Sequence, residues 1–380
     1  MKESYYIIHD PDADLSLLPS AFAQGRRLIT EKGDLSRIRE PLSGRNCVLV
    51  MPNAAVTKAV LQLRMLDLKA VFVMPTDIGY RVTQPIRIDP DKPRLDYMET
   101  ELSHICNLNC RGCCDFCNLQ NGGSFYDYDS YCSDLRQMKK LFWGIEKIRL
   151  MGGEPFLTPN LIEYVKYTKS LFPDSDIRIV TNGLLIPDYP DASLRELSAI
   201  GCRIEISGYP PTIKAKKQIA DKLNRNRVRF LFGVPMLLFW KNILSKGRRD
   251  PESAFANCPF THCHMMGDGK LSPCSFAYCI GRFNEHFGTD YPEDDYIDLY
   301  APDLDAWEVR RRVSEPHGMC ACCSPVFVPI PWKGHCSPES AKPEDWLIRP
   351  NRFLLSVFPA VQRTVKPLFI ALRAIKQRIQ

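Results

Sequence analysis

Cys106, Cys110 and Cys113 stand in the run Cys-Asn-Leu-Asn-Cys-Arg-Gly-Cys, spaced by four and then three residues. Three thiolates so placed can close around one iron–sulfur cube and leave its fourth iron open to a small molecule. Zinc is the alternative, since it takes four tetrahedral ligands and Cys114 or Cys117 would supply the fourth. About forty residues on, Leu-Met-Gly-Gly-Glu-Pro (150–155) closes a predicted strand. Its two glycines permit a close backbone approach to a ligand, and Glu154 offers a carboxylate to an ammonium group. A second set comprises Cys258, Cys263, Cys274, Cys279, Cys320, Cys322, Cys323 and Cys336, eight thiols within 79 residues. Apart from 305–313 this stretch shows little periodicity, so bound metal is the expected help in burying its core. Cys47 and Cys202 fall in predicted strands and Cys132 in a helix, where a free thiol packs as a small apolar group. His262 and His264 flank Cys263 and read as solvated loop residues, with a lining role in a substrate cavity as the alternative.

The elements that must position these groups repeat along the chain. Strands are expected at 96–103, 147–151, 176–181, 202–207 and 228–233, with helices at 130–143, 160–172, 193–201 and 212–224 between them. Such alternation calls for a parallel sheet flanked by helices, with ligands at the C-terminal strand ends. Five or six units make a partial, TIM-like (β/α)6 barrel, an α/β fold. Residues 1–95 read as a separate small α/β, Rossmann-like unit, with strands at 4–9, 46–51 and 70–75 and a helix at 54–67. The turn after Val50, Met-Pro-Asn-Ala-Ala, lacks G-x-G-x-x-G, so a partner-binding or degenerate domain is expected rather than a dinucleotide site. A linker at 86–96 leads to a core over 96–240, a Cys-rich extension over 241–345 and a tail over 346–380.

Composition limits what such a chain can be. A 45% hydrophobic content over 380 residues excludes a mainly disordered protein. A net charge of +6 is too slight to argue for nucleic acid. No apolar segment of signal-peptide length opens the sequence, and none reaches the eighteen or so residues of a spanning helix. The thiols are therefore expected in a cytoplasmic, reducing setting, where they bind metal instead of pairing.

The two motifs, in this order and on these elements, resemble those of radical S-adenosylmethionine (SAM) enzymes, and the resemblance covers about 97–235. It implies that Cys106, Cys110 and Cys113 ligate a [4Fe–4S] cluster whose open iron chelates SAM. It implies too that Gly152, Gly153 and Glu154 hold the methionyl amine, and that Thr181, Asn182 and Ser207 contact ribose or carboxylate. Thr181-Asn182-Gly183 also reads simply as a turn. Where the family often carries an aromatic residue against adenine, this chain has Gly112, with Phe116 as a substitute. The implied activity is reductive cleavage of SAM to a 5′-deoxyadenosyl radical that abstracts hydrogen from a substrate, with an electron donor such as flavodoxin or ferredoxin. Cys258 followed by Gly269-Lys-Leu-Ser-Pro-Cys274 is similar to the start of a SPASM/twitch extension. That likeness implies one auxiliary [4Fe–4S] cluster on Cys258, Cys274, Cys320 and Cys323, with Cys263, Cys322 and Cys336 as rivals and zinc as the alternative occupant.

From 346 onward seven basic residues and no acidic one alternate with apolar side chains, against a net charge of +6 for the chain. This reads as an interfacial segment at an anionic membrane, or as a helix packed on the barrel. The pattern as a whole resembles radical SAM proteins of cell-surface glycan loci, which implies a nucleotide- or lipid-linked sugar as substrate. Maturation of a ribosomally made peptide is the second expectation, and a non-catalytic iron–sulfur or zinc scaffold the third.

Overall fold

The computed structural model describes residues 92–349, apart from 121, 247, 257 and 259, and six short strands between residues 5 and 87. Those strands are β1 (Tyr5–His9), β2 (Arg26–Ile29), β3 (Asn46–Val50), β4 (Lys69–Thr76), β5 (Gly79–Val82) and β6 (Ile86–Arg87). They form one sheet in the order β2-β1-β3-β4-β5, with β6 also on β4. Pairing is parallel through β4 and antiparallel beyond it. The strands expected at 4–9, 46–51 and 70–75 are present as β1, β3 and β4. The helix expected at 54–67 and the turn after Val50 lie outside the described residues. The linker is shorter than 86–96, because β6 occupies its start and the next strand its end.

The main body begins with β7 (Arg94–Ser103), α1 (Tyr128–Leu141), β8 (Gly144–Gly152), α2 (Leu161–Leu171) and β9 (Asp176–Thr181). It continues with α3 (Asp191–Ile200), β10 (Arg203–Gly208), α4 (Pro210–Arg225) and β11 (Arg229–Pro235). The five strands are parallel in the order β11-β10-β9-β8-β7. Every second residue explains the layering. Ile148 and Leu150, Ile177 and Ile179, and Ile204 and Ile206 all point to the helical layer and are fully or almost fully buried. The alternate set, Glu99, Arg149, Asp176, Arg178 and Glu205, falls on the other face.

A sixth βα unit does not follow, because only Met236 and Leu237 separate β11 from β12 (Leu238–Leu244). The sheet grows at its other edge instead. There β13 (Met265–Gly267) meets β7, forms a hairpin with β14 (Lys270–Ser272), and is followed by β15 (Ile297–Asp298). The extension also contains α5 (Pro251–Ala256), α6 (Ser275–Phe287), α7 (Ala306–Arg312) and α8 (Gly318–Ala321). β12 pairs with β16 (Cys323–Pro331) and β17 (Leu347–Ile348) in a small separate sheet.

Two expectations are corrected here. The stretch after 240 is more regular than its pattern suggested, since α6 alone buries Ala277, Cys279, Ile280 and Phe283. The tail does not start at 346. Trp346 packs on Phe116, Phe283 and Phe287, and Leu347–Ile348 pair with β12, so these residues belong to the body. The rest of the tail, 350–380, lies outside the described residues. Among the described residues no helix is long and apolar enough to cross a membrane.

Candidate active site

The loop that carries Cys106, Cys110 and Cys113 leaves β7 at Ser103 and is held by the ends of the neighbouring strands. Gly153 N–H donates to Ser103 O (2.5 Å) and Glu154 N–H to Ile105 O (2.8 Å). The two glycines are explained by this contact: a Cβ on Gly152 would collide with Ser103 O, and one on Gly153 with Ile105 O. Gly152 also sits at φ +121°, a conformation that favours glycine. The close approach read from the sequence as one to a ligand is thus, in the structure, an approach to the chain's own backbone. Gly153→Ala should therefore destabilise the protein by about 2–3 kcal/mol and displace Cys106. A lowered unfolding midpoint, together with less iron retained after reconstitution, would check this.

Glu154 is fully buried, and its carboxylate accepts from Thr181 Oγ1 (2.6 Å), Asn182 N (2.9 Å) and Phe156 N (3.1 Å). Asn182 Nδ2 in turn donates to Asn107 Oδ1 (2.6 Å), inside the cysteine loop. Glu154, Thr181 and Asn182 hence form one connected set that reaches the thiol loop. The turn reading of 181–183 also holds, because Gly183 N–H donates to Thr181 Oγ1 and Leu184 N–H to Asn182 Oδ1. Ser207 stands at the end of β10, half-buried, beside a register shift in its pairing with β11.

Burial lifts the Glu154 carboxyl from 4.5 to about 7 against these hydrogen bonds. A folded-state value above the unfolded one means that its contribution to stability is present below pH 4.5 and is lost as pH rises through 7. The loss amounts to roughly 3 kcal/mol at most. Glu154→Gln should flatten that decline. Urea unfolding of both proteins between pH 4.5 and 7.5 reads the slope, and parallel slopes would reject the assignment.

The thiols differ in character. Burial pushes Cys106 up to about 11 and lifts Cys110 well above the ordinary thiol range, with the charge of Cys113 adding to the rise. Hydrogen bonds from Cys114 and Cys117, and from nearby backbone, pull Cys113 the other way. Cys106 and Cys110 both feel the charge of Cys113, and Cys110 that of Cys106 as well. All three are free thiols. Buried thiols that stay protonated on their own become ligands when a cation's charge is present, and this donor set fits a thiolate-ligated iron–sulfur cluster. Cys117 also approaches Cys113, with Asp115 in the same group, which keeps the zinc arrangement geometrically available.

Phe116 presents no exposed ring face to an adenine. It is fully buried among Phe276, Phe283 and Trp346. At Gly112 a Cβ would meet Ile330 Cδ1 at 2.8 Å and Asp345 O at 3.1 Å, so the extension fills the place of the family's aromatic residue.

The sequence reading missed the charged network on the second face of the sheet. Arg149 bridges Glu99 and Glu205 (2.8 Å each), and Arg178 joins Glu205 (3.3 Å) to Asp176 (2.7 Å). Nearer the strand ends, buried Glu101 takes Arg282 (2.6 Å) and the Cys279 thiol (3.5 Å) from α6. The signal was present as polar residues at every second strand position, which mark a second polar surface only once the sheet curls. His264 is buried rather than solvated, with Nδ1 against Pro273 O (3.1 Å), while His262 packs edge-on to Tyr97.

In the extension Cys258 follows α5, Cys274 caps the N-terminus of α6, Cys320 lies in α8 and Cys323 opens β16. Burial raises Cys258 and Cys323; the charges of Cys274 and Cys320 add to the rise at Cys258, and those of Cys274, Cys258, Cys320 and Cys322 to that at Cys323. His317 joins them. Burial works against its charge, but hydrogen bonds with Asp295, Cys274 and Cys320 push it up to about 12. Cys263 lies near Cys274 and Cys258, and also faces Glu99 and Arg149. Cys336 is elsewhere, with its N–H on Asn109 O (2.9 Å) and its charge acting on Cys110.

Comparison with known proteins places names beside this geometry. Residues 100–233 match the Radical SAM superfamily, a span that contains the first three cysteines and every residue from Gly152 to Ser207 discussed above. The chain is 29% identical over 122 residues to the GTP 3',8-cyclase of Alkaliphilus oremlandii (strain OhILAs), covering 31% of this chain and 37% of that protein. It is 28% identical over 149 residues to the GTP 3',8-cyclase of Nautilia profundicola (strain ATCC BAA-1463 / DSM 18972 / AmH), covering 36% and 43%. The chain thus spans less than half the length of these curated relatives. Among solved structures, BtrN in complex with AdoMet and 2-DOIA aligns with a TM-score of 0.37 at 17% identity, over 61% of this chain and 94% of that one. Native anSMEcpe with bound AdoMet aligns with a TM-score of 0.30 at 17% identity, over 36% and 43%.

Proposed function

From the premise that residues 100–233 are a radical SAM domain, we propose that this chain is an enzyme that reductively cleaves SAM and abstracts hydrogen from a polar substrate. The observation that carries the proposal is the tie between the cysteine loop and two other motif segments: Gly153 to Ser103, and Asn182 to Asn107. Cys106, Cys110 and Cys113 would hold the [4Fe–4S] cluster, and Gly152–Glu154, Thr181, Asn182 and Ser207 would surround SAM. When bound, the two supply one-electron cleavage of the sulfonium C–S bond and a radical able to break an unactivated C–H bond.

The protein's own work is positional. Glu154 fixes the ends of β8 and β9 relative to each other, so that the SAM-facing segments are set before a ligand arrives. Glu101, Arg282, Arg149 and Glu205 make the second face of the sheet polar, which suits a substrate rich in hydroxyl or phosphate groups over an apolar one. This supports a nucleotide- or lipid-linked sugar as the substrate class, and the relatives' name, GTP 3',8-cyclase, adds weight to the nucleotide form. The four convergent thiols of the extension would hold an auxiliary cluster.

Anaerobic reconstitution with iron and sulfide, followed by SAM and dithionite, tests the proposal. The expected product is 5′-deoxyadenosine, formed faster in the presence of the correct sugar nucleotide. A protein that binds iron and SAM yet yields none would be the non-catalytic scaffold.

A further inference from the structure

The loop of Cys106–Cys113 is covered by the segment that follows β16, more than two hundred residues away. Arg111 N–H donates to Lys333 O (2.7 Å), His335 N–H to Leu108 O (2.6 Å) and Cys336 N–H to Asn109 O (2.9 Å). The Arg111 guanidinium pairs with Asp345 (2.5 Å), and Trp346 Nε1 donates to Cys113 O (2.7 Å). Within this strap one side chain reaches a sulfur: Trp332 Nε1 donates to Cys110 Sγ at 3.2 Å. Trp332 is held in two further ways. The backbone N–H of Trp332 is held by Leu237 O (3.0 Å). The ring stacks on Tyr209, at 6.0 Å between centroids and 26° between planes.

We propose that Trp332 is a positioning and tuning residue for the cluster on Cys106, Cys110 and Cys113, and that through it the extension sets how readily this cluster is reduced. The inference rests on the cluster assignment made above. An N–H directed at a ligand sulfur draws negative charge from it, which favours the more negative, reduced state and raises the reduction potential. Burial makes the effect larger, because Cys110 sits where solvent offers little screening. The structure gives the extension a direct chemical link to the cluster, in addition to mechanical cover.

Trp332→Phe keeps an aromatic ring against Tyr209 and removes only the donor. In the reconstituted variant, the cluster whose electron paramagnetic resonance signal changes on adding SAM should show a more negative midpoint potential. At a fixed dithionite potential its reduced fraction should fall several-fold, read per loaded cluster. In the unaltered protein grown with ¹⁵N-indole tryptophan, pulsed resonance on the reduced cluster should detect a ¹⁵N coupling that Trp332→Phe lacks. An unmoved potential in loaded Trp332→Phe, or no ¹⁵N coupling in the unaltered protein, overturns the proposal. A SAM-responsive signal that survives Cys113→Ala would instead overturn the cluster assignment, so the two failures are distinct.

Discussion

Cys113→Ala should reduce 5′-deoxyadenosine formation below detection, whereas Cys47→Ala should leave it unchanged. The contrast follows from position rather than from thiol chemistry in general. Cys113 is the thiol of its loop that neighbouring donors pull toward the thiolate, the ligand form. Cys47 is fully buried in β3 and raised to about 11 by that burial alone. Removing one ligand from a three-cysteine site leaves an iron without an anchor, and no partial activity is expected from a cluster that cannot be held. Cys117→Ser extends the test. If Cys117 were the fourth ligand of a zinc site, its loss would release the metal as completely as the loss of Cys113. In the cluster reading it perturbs only the hydrogen bond to Cys113, and the iron remains. Product by mass spectrometry and metal by elemental analysis, measured on all three variants, separate the two sites.

The parallel core was legible because each strand alternates and each helix shows one apolar stripe. Ile-Arg-Ile in 177–179 and Ile-Glu-Ile in 204–206 declare a strand with one buried face, and the structure keeps β9 at the expected residues, 176–181. The first thiol group was readable for a similar reason: its three cysteines lie in eight consecutive residues and need no tertiary information. What escaped is non-local or chemically unusual. The Trp332–Cys110 contact joins residues 222 apart, and no spacing rule reaches that far. Helix α6 escaped because it opens on Cys274, whose Sγ accepts from Ala277 N (3.5 Å), in place of the Ser, Thr, Asp or Asn that usually marks a start. The roles of Gly152 and Gly153 were half legible. Sequence showed that backbone must pass close by, and only the fold shows that the backbone is that of residues 103–105.

The second large effect concerns the extension: Cys323→Ser should remove about four iron ions per chain while the SAM-responsive signal and some SAM cleavage persist. The four thiols arrive on separate pieces, after α5, at the cap of α6, in α8 and at the head of β16, and Cys274 and Cys323 pack against an apolar cluster that includes Ala277, Ile280, Phe283 and Met319. Ordering thiols from such scattered origins, with His317 held by Asp295 and pointed at two of them, costs conformational entropy. A bound cluster would offset part of that cost beside the apolar packing, as metal does in small folds. Loss of one ligand should therefore lower the unfolding midpoint of the extension as well as its iron content. Cys336→Ser is the informative control. It lies against Asn109 and Cys110, on the side of the first cluster, so the auxiliary iron should stay in place. Zinc at the second site would give a different pattern: Cys323→Ser would then release zinc and leave the iron count unaltered, and the cluster assignment for Cys258, Cys274, Cys320 and Cys323 would fall.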